Sequence, residues 1–324
     1  MKIYRYLIFA CFTLLCGQFT FAQNYSPIDH IVLKYPNLGS TEKVAERIQK
    51  DFASDYDKAR AIYSWIALNI KYDYALFLNP PQQRGFSYSS EAEKQKKLRD
   101  LNNQLIQKTF KSRKGVCEGF TALFQHLAGL LNLQCEIVTG DSKIGLNDIG
   151  RKRIISNHAW NIVLLDKKWR LIDVTWAQGY YNNNMRKMVS HFTPIYFDTS
   201  PDYFFAKHYP ESGNFKGEKI NRDDFLKGPL IYNTTIEKDY KVISPDSGTI
   251  HAKSGEKIRF TIKNLSRKDQ IFYLNKSNRP VEISNSREKN GRLEFEIICD
   301  QNLGEYLTIF VNTDSVVSFK INKK

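Results

Sequence analysis

The chain has 324 residues, of which 42% are hydrophobic, 25% charged and 13% aromatic, with 17 Gly and 10 Pro. That mix supplies ample apolar material for a packed core and excludes a disordered, collagen-like or low-complexity protein. The length favours about two domains, the five cysteines are too few for a disulfide-stapled scaffold, and 48 basic against 34 acidic residues leave a net charge of +14.

Lys2 and Arg5 precede an uncharged, mostly apolar run over 6–16, and Thr20-Phe21-Ala22 offers small residues for cleavage before Gln23. The pattern predicts a secretory signal peptide over 1–22, cut after Ala22, and a secreted or periplasmic protein. The run is too short to cross a hydrocarbon core of about 30 Å, and no later stretch reaches about 18 consecutive apolar residues, so an integral membrane protein is not expected. Leu15 is a bulky neighbour for lipid modification at Cys16, which argues against a lipoprotein. Cleavage would leave Cys117, Cys135 and Cys299, an odd set with at least one thiol unpaired in the monomer. The positive charge suits anionic glycan or membrane surfaces as well as nucleic acid. Export argues against nucleic acid, and most lysines are expected on solvated faces.

Residues 41–71 read as helices, with Ala59, Ile62, Tyr63, Ile66 and Ile70 at three- and four-residue steps. Asn79-Pro80-Pro81 breaks the chain, 91–110 is again helix-compatible, and after Gly115 comes an apolar helix with Phe120, Leu123, Phe124, Leu127, Leu130 and Leu131 on its buried stripe. The period then changes to two. Strands are predicted over 134–139, 158–165 and 168–175, the last two as a hairpin across Asp166-Lys167. Ser200-Pro201 and Asn221 mark the starts of short helices, the second stopped by Gly228-Pro229. From about 238 the chain reads as seven or eight short strands, the texture of a small sandwich.

Cys117 stands at the start of the apolar helix, in Gly115-Val116-Cys117-Glu118-Gly119-Phe120. The positive end of a helix dipole favours thiolate, and Lys108, Lys111, Arg113 and Lys114 just upstream could act in the same sense. A buried structural thiol is the bland alternative. A thiol nucleophile needs a base, and that base an orienting group. His158 opens a predicted strand. If Leu165 pairs with Lys168 across a two-residue turn, Trp160 falls opposite Asp173, and His158 and Asp173 share one face as diagonal neighbours. A one-residue slip would part them. Trp160 and Trp176 could line a groove or simply pack in the core. Cys135 reads as a buried strand thiol, and a Cys135–Cys299 disulfide is a further possibility.

These segments together resemble the transglutaminase-like superfamily: Cys117 in its Gly-Val-Cys-Glu-Gly-Phe setting, His158-Ala159-Trp160-Asn161, the run from Trp169 to Trp176, and Trp65 to Asp73 upstream. The run from Tyr196 to Phe204, with His208-Tyr209-Pro210, is similar to its kyphoscoliosis-peptidase branch. The resemblance covers about 41–230. It implies a papain-like α+β fold with Cys117 as nucleophile, His158 as general base and Asp173 as its orienter. Papain-like enzymes take a second oxyanion donor from a glutamine six residues before the cysteine, where this chain has Lys111. Tyr72 could replace it, or could be a core aromatic beneath the first helices.

The expected organisation is a signal peptide over 1–22, a transglutaminase-like domain over 23–235 and an immunoglobulin-like β-sandwich over 236–324. The expected function is cleavage or transfer of peptide or glutamine amide acyl groups through a thioester, hydrolysis slightly favoured. A protein or peptide is the substrate, with cell-envelope material as a candidate source. This chemistry requires no metal or organic cofactor. The rival is a catalytically silent scaffold that binds protein or glycan at the envelope. Substrate identity and oligomeric state are not legible in the sequence.

Overall fold

A computed structural model describes residues 25–81, 85–182 and 187–324. The expected signal peptide lies outside the described residues. Among them, no helix is long and apolar enough to cross a membrane.

The first part of the chain is a helical layer on an antiparallel sheet. The helices are Pro27–Leu33, Thr41–Asp51, Asp55–Asn69, the short Tyr74–Leu78, Glu91–Ser112 and Cys117–Leu130. The helices expected over 41–71 are separated at 52–54, where Ser54 caps the second by accepting from Asp57 N at 3.1 Å. Ser40 and Ser90 cap their helices in the same way. Cys117–Leu130 is the central helix, its Phe120, Leu123, Phe124 and Leu127 packed with Ile62, Trp65, Val163 and Ile172 in one core. The N-terminal helix is pinned by a buried ion pair, Arg60 Nη2 to Asp29 Oδ2 at 2.7 Å.

The sheet runs Lys168–Ile172, His158–Leu165, Cys135–Ser142, His208–Pro210. The hairpin turn has positive φ at both Asp166 (49°) and Lys167 (62°), the two-residue turn whose twist suits antiparallel strands. Leu165 pairs with Lys168, and the register continues to Asn161 opposite Ile172. There it stops, so the expected strand over 168–175 is three residues too long. Asp173 N turns away to Tyr196 O at 2.9 Å, while Asp173 Oδ1 accepts from Thr175 N and Trp176 N at 3.0 and 3.1 Å. A side chain that hydrogen-bonds its own backbone ahead closes a turn and ends the ladder. Two pairings had no sequence signal: Lys71–Tyr72 lies parallel to Lys114–Gly115, and Gly179–Asn182 pairs with Lys187–Ser190.

The C-terminal part is a β-sandwich. One sheet is ordered Leu230–Ile231, Asp314–Lys323, Tyr306–Val311, Ile271–Leu274, Pro280–Glu282, with Thr249–Ala252 parallel to Asp314–Lys323. The other is Lys241–Ser244, Lys257–Lys263, Arg292–Ile298, Ser286–Lys289. Leu293, Phe295 and Ile297 are buried while Arg292, Glu294 and Glu296 are exposed, the period of a strand with one wet face. Phe260 of one sheet meets Phe319 of the other with ring centroids 5.5 Å apart. The expected break at 235–236 falls inside the short helix Asn233–Glu237, and the preceding strand Leu230–Ile231 already belongs to the sandwich.

Candidate active site

Cys117 occupies the first position of Cys117–Leu130, and the N-cap Val116 makes no side-chain capping bond. The first-turn N–H groups therefore have no side chain to satisfy them and point toward the thiol's end of the helix. Two contacts fix this helix start. A Cβ on Gly119 would come within 2.5 Å of Thr109 Oγ1, so only glycine permits the close approach to Glu91–Ser112. On the sheet side, the fully buried Asn161 donates from Nδ2 to Thr121 O at 3.1 Å, and Thr121 Oγ1 donates to Cys117 O at 3.0 Å.

His158 opens its strand, and its Nε2 lies 2.7 Å from Asp173 Oδ2. Because the carboxylate occupies Nε2, only Nδ1 is left for the thiol, and Cys117 is a hydrogen-bonding neighbour of the His158 ring. Trp176 stacks on that ring with centroids 5.3 Å apart. The structure thus brings Cys117, His158 and Asp173 together, with Asp173 reaching His158 from the turn after its strand. Trp160, 1% exposed, is a core residue, whereas Trp176 is half-buried beside the imidazole.

Burial works against a charged His158. The Asp173 carboxylate, by charge and by hydrogen bond, and then Cys117 outweigh it and push His158 up to about 10. Burial likewise opposes an ionised Asp173, but His158 and, behind it, His208 hold the carboxyl well below its usual range. Burial pushes the Cys135 thiol up to about 12, and all three described cysteines are free. Cys135 is the strand thiol the sequence suggested, and the alternative of a Cys135–Cys299 disulfide is not realised.

The upstream basic residues do not converge on the thiol. Arg113 turns its Nη2 to Asn37 Oδ1 and Leu38 O, at 3.2 and 3.1 Å, and Lys108, Lys111 and Lys114 are exposed. The Cys117 Sγ also has an acidic partner: it donates to Glu118 Oε2 at 3.2 Å. Lys111 lies on the exposed face of Glu91–Ser112, away from any donor role. Tyr72 pairs with Gly115 two residues before Cys117, and its hydroxyl is pushed up by burial and then by the neighbouring charges of Cys117 and Glu118.

Sequence reasoning assigned no role to His208, although His208-Tyr209-Pro210 belonged to a recognised motif. The ring is fully buried, with Nε2 3.0 Å from Asp173 Oδ2 and Nδ1 3.1 Å from Phe204 O. Lys207 is also buried, its Nζ 4.8 Å from the Trp176 ring centroid, and burial draws it down to about 8 against the pull of Asp173. Gln178 ties the Tyr72 backbone to the strand Lys187–Ser190, through Tyr72 N and Ser190 Oγ. The ligand-capable atoms of His158, Asp173 and His208 lie within 4.8 Å of one another, a spacing that could also surround a metal ion. Two contacts of 2.7 and 3.0 Å onto one oxygen are hydrogen-bond distances, and they use the nitrogens a metal would need.

Residues 42–174 match the family model of the transglutaminase-like superfamily. The chain is 29% identical to kyphoscoliosis peptidase of Mus musculus over 179 residues, covering 55% of this chain and 24% of that protein. It is 29% identical to kyphoscoliosis peptidase of Homo sapiens over 195 residues, 60% of this chain and 27% of that one. The chain thus spans about a quarter of the length of these relatives. A solved structure of a TGase aligns over 52% of this chain and 42% of its own, at 21% identity and a TM-score of 0.30.

Proposed function

We propose that the chain, whose residues 42–174 match the transglutaminase-like family model and which resembles kyphoscoliosis peptidase, is a cysteine acyl-transfer enzyme acting through Cys117, His158 and Asp173. His158 takes the Cys117 proton at Nδ1, and the thiolate attacks the carbonyl of a peptide or glutamine amide. The tetrahedral oxyanion is met by the Cys117 N–H at the helix start, with the Tyr72 hydroxyl as second donor. Collapse forms the thioester as the imidazolium gives its proton to the leaving amine. Water or a second amine, activated by His158, then releases the acyl group and restores the thiol. Hydrolysis is favoured because the relatives are named peptidases. The expected export would put the substrate among secreted or envelope proteins.

The observation that supports this reading is the line of contacts from the helix-start thiol to His158 and from His158 Nε2 to Asp173 Oδ2 at 2.7 Å. Incubating the protein with a peptide library, with and without a primary amine, tests it. Cleaved peptides mean hydrolysis, and amine incorporation means transfer. A second reading, the silent scaffold, is favoured by one contact: Glu118 Oε2 accepts a hydrogen bond from Cys117 Sγ, which a thiolate could not donate. Iodoacetamide at about pH 6, where an ordinary thiol near 8.5 is almost wholly protonated, decides between them. Labelling of Cys117 alone, suppressed in His158→Ala, supports the enzyme, and an inert Cys117 supports the scaffold.

A further inference from the structure

Asp173 Oδ2 receives two histidines. His158 Nε2 lies at 2.7 Å and His208 Nε2 at 3.0 Å from the same oxygen, while Oδ1 is occupied by the N–H groups of Thr175 and Trp176. The carboxylate is therefore anchored through Oδ1 with or without His208. His208 itself is locked on all sides. Its ring stacks on Phe204 at 4.0 Å, lies 4.4 Å from Trp176 and 5.1 Å from Trp160, and faces Phe204 O through Nδ1. A phenylalanine would fill such an apolar slot without the cost of burying a polar ring. What a histidine adds there, in the neutral tautomer that carries its proton on Nε2 and leaves Nδ1 without one against Phe204 O, is a donor aimed at the carboxylate.

Resting on the catalytic reading above, we infer that His208 is a positioning residue that competes with His158 for one oxygen of Asp173 and so limits how tightly that carboxylate holds the His158 imidazolium. Each donor to a carboxylate lowers its proton affinity, and with it the strength of its bond to the next donor. The limit matters because His158 must both keep the Cys117 proton and surrender it to the leaving amine. Asp173 already pushes His158 up to about 10, and a group that holds its proton too firmly is a poor general acid near neutral pH. A second histidine on Oδ2 tempers that hold without moving the carboxylate.

The other ionisable groups around the pair come from several elements. Lys207 precedes His208 and sets its Nζ over Trp176. Tyr63 and Tyr196 are electrostatic neighbours of Asp173, and Cys117 reaches the cluster through His158. On the adjoining strand Ser142 pairs with His208 and Asp141 with Tyr209. Among these, His208 alone shares the oxygen that His158 uses.

The test follows the His158 imidazole by NMR of histidine-labelled full-length protein from pH 5 to about 11, in wild type, His208→Phe and His208→Gln, beside kcat and KM on a peptide cleaved by the wild type. His208→Phe keeps the ring stacking and removes the donor. It is expected to raise the His158 pKa by about one unit and to lower kcat by about tenfold with KM within about twofold. His208→Gln restores a neutral donor and should fall between the two. An unchanged or lowered His158 pKa in folded His208→Phe overturns the inference. Should that variant not fold, an unmoved His158 in His208→Gln overturns it equally. The readout needs no turnover, so the two readings fail separately: a Cys117 inert to iodoacetamide beside a His158 that responds to position 208 removes the enzyme and keeps the coupling, whereas a reactive Cys117 beside an unresponsive His158 does the reverse.

Discussion

His158 Nε2 stands 2.7 Å from Asp173 Oδ2, so one carboxylate sets both the tautomer of the imidazole and the turn of its other nitrogen toward Cys117. Asp173→Asn keeps the shape and can still accept the Thr175 and Trp176 N–H bonds, but it removes the negative charge that stabilises imidazolium. We expect a folded protein whose kcat falls by about 10⁴, the scale on which a triad loses its orienting carboxylate. Circular dichroism establishes the fold and steady-state assay the loss. Near-wild-type turnover would take Asp173 out of the mechanism.

The two histidines on Asp173 give stability a pH dependence with a definite sign. Burial draws His208 down to about 4 despite the Asp173 bond, while Asp173 and Cys117 carry His158 up to about 10 against burial. In the unfolded chain both titrate near 6.5. Between about 6.5 and about 4 the unfolded chain binds a proton that folded His208 refuses, so stability falls as pH falls through that window. Above about 6.5 folded His158 keeps a proton that the unfolded chain has lost, so its contribution is fully present below 6.5 and declines as pH rises toward about 10. The cluster's contribution is therefore greatest near pH 6.5. Urea midpoints across this range should show it, and His208→Phe should flatten the acid side while leaving the basic side sloped. Equal acid slopes in both proteins would contradict the assignment.

Tyr72 is placed by the parallel pairing of Lys71–Tyr72 with Lys114–Gly115, which sets its ring beside the start of the Cys117 helix. If its hydroxyl is the second oxyanion donor, Tyr72→Phe should lower kcat by about 10²–10³ and leave KM and stability nearly unchanged. A Phe variant with full kcat would make Tyr72 a packing residue against Phe120 and Phe77, whose ring centroids are 6.5 and 6.0 Å away.

The parts of the site legible in the sequence were those fixed by local rules. The thiol follows from a helix start, and the hairpin register from a two-residue turn, confirmed by the pairs Leu165–Lys168 and Asn161–Ile172. His208 was not legible because its place depends on His208–Pro210 pairing with Gly140–Ser142, a contact across more than sixty residues that no local period encodes. Gly140 is the hinge of that arrangement. It pairs with His158 on one side and Pro210 on the other, and a Cβ there would run into Tyr209 O and the Trp160 ring. Gly140→Ala should therefore cost about 1–3 kcal/mol by overpacking and lower kcat through the displaced His208. A midpoint within error of the wild type would show that the sheet can absorb the methyl group.

The independence of the sandwich can be tested by where the chain is cut. Leu230 and Ile231 are buried, pair with Ser318 and Val317, and are followed by Thr235, whose Oγ1 donates to Val316 O at a short distance. We propose that the division between the two units lies at Gly228-Pro229, where Lys143 Nζ donates to Gly228 O at 2.7 Å. A chain ending at Thr235 would strand Leu230 and Ile231 without their partner strand, at about 1.5–3 kcal/mol for each side chain returned to water. A chain ending at Gly228 leaves no strand without its partner, and gives up the bonds of Tyr196 and Tyr203 to Asn233 and Asp239 and the packing of Tyr203 and Ala206 on the sandwich. We expect the shorter protein to be the better folded of the two, with the higher melting temperature, the lower tendency to associate and a Cys117 that still labels. If the chain ending at Thr235 is instead the more stable, residues 229–235 belong to the first unit despite their pairing. If both chains are unfolded while the full protein is not, the two units form one cooperative whole.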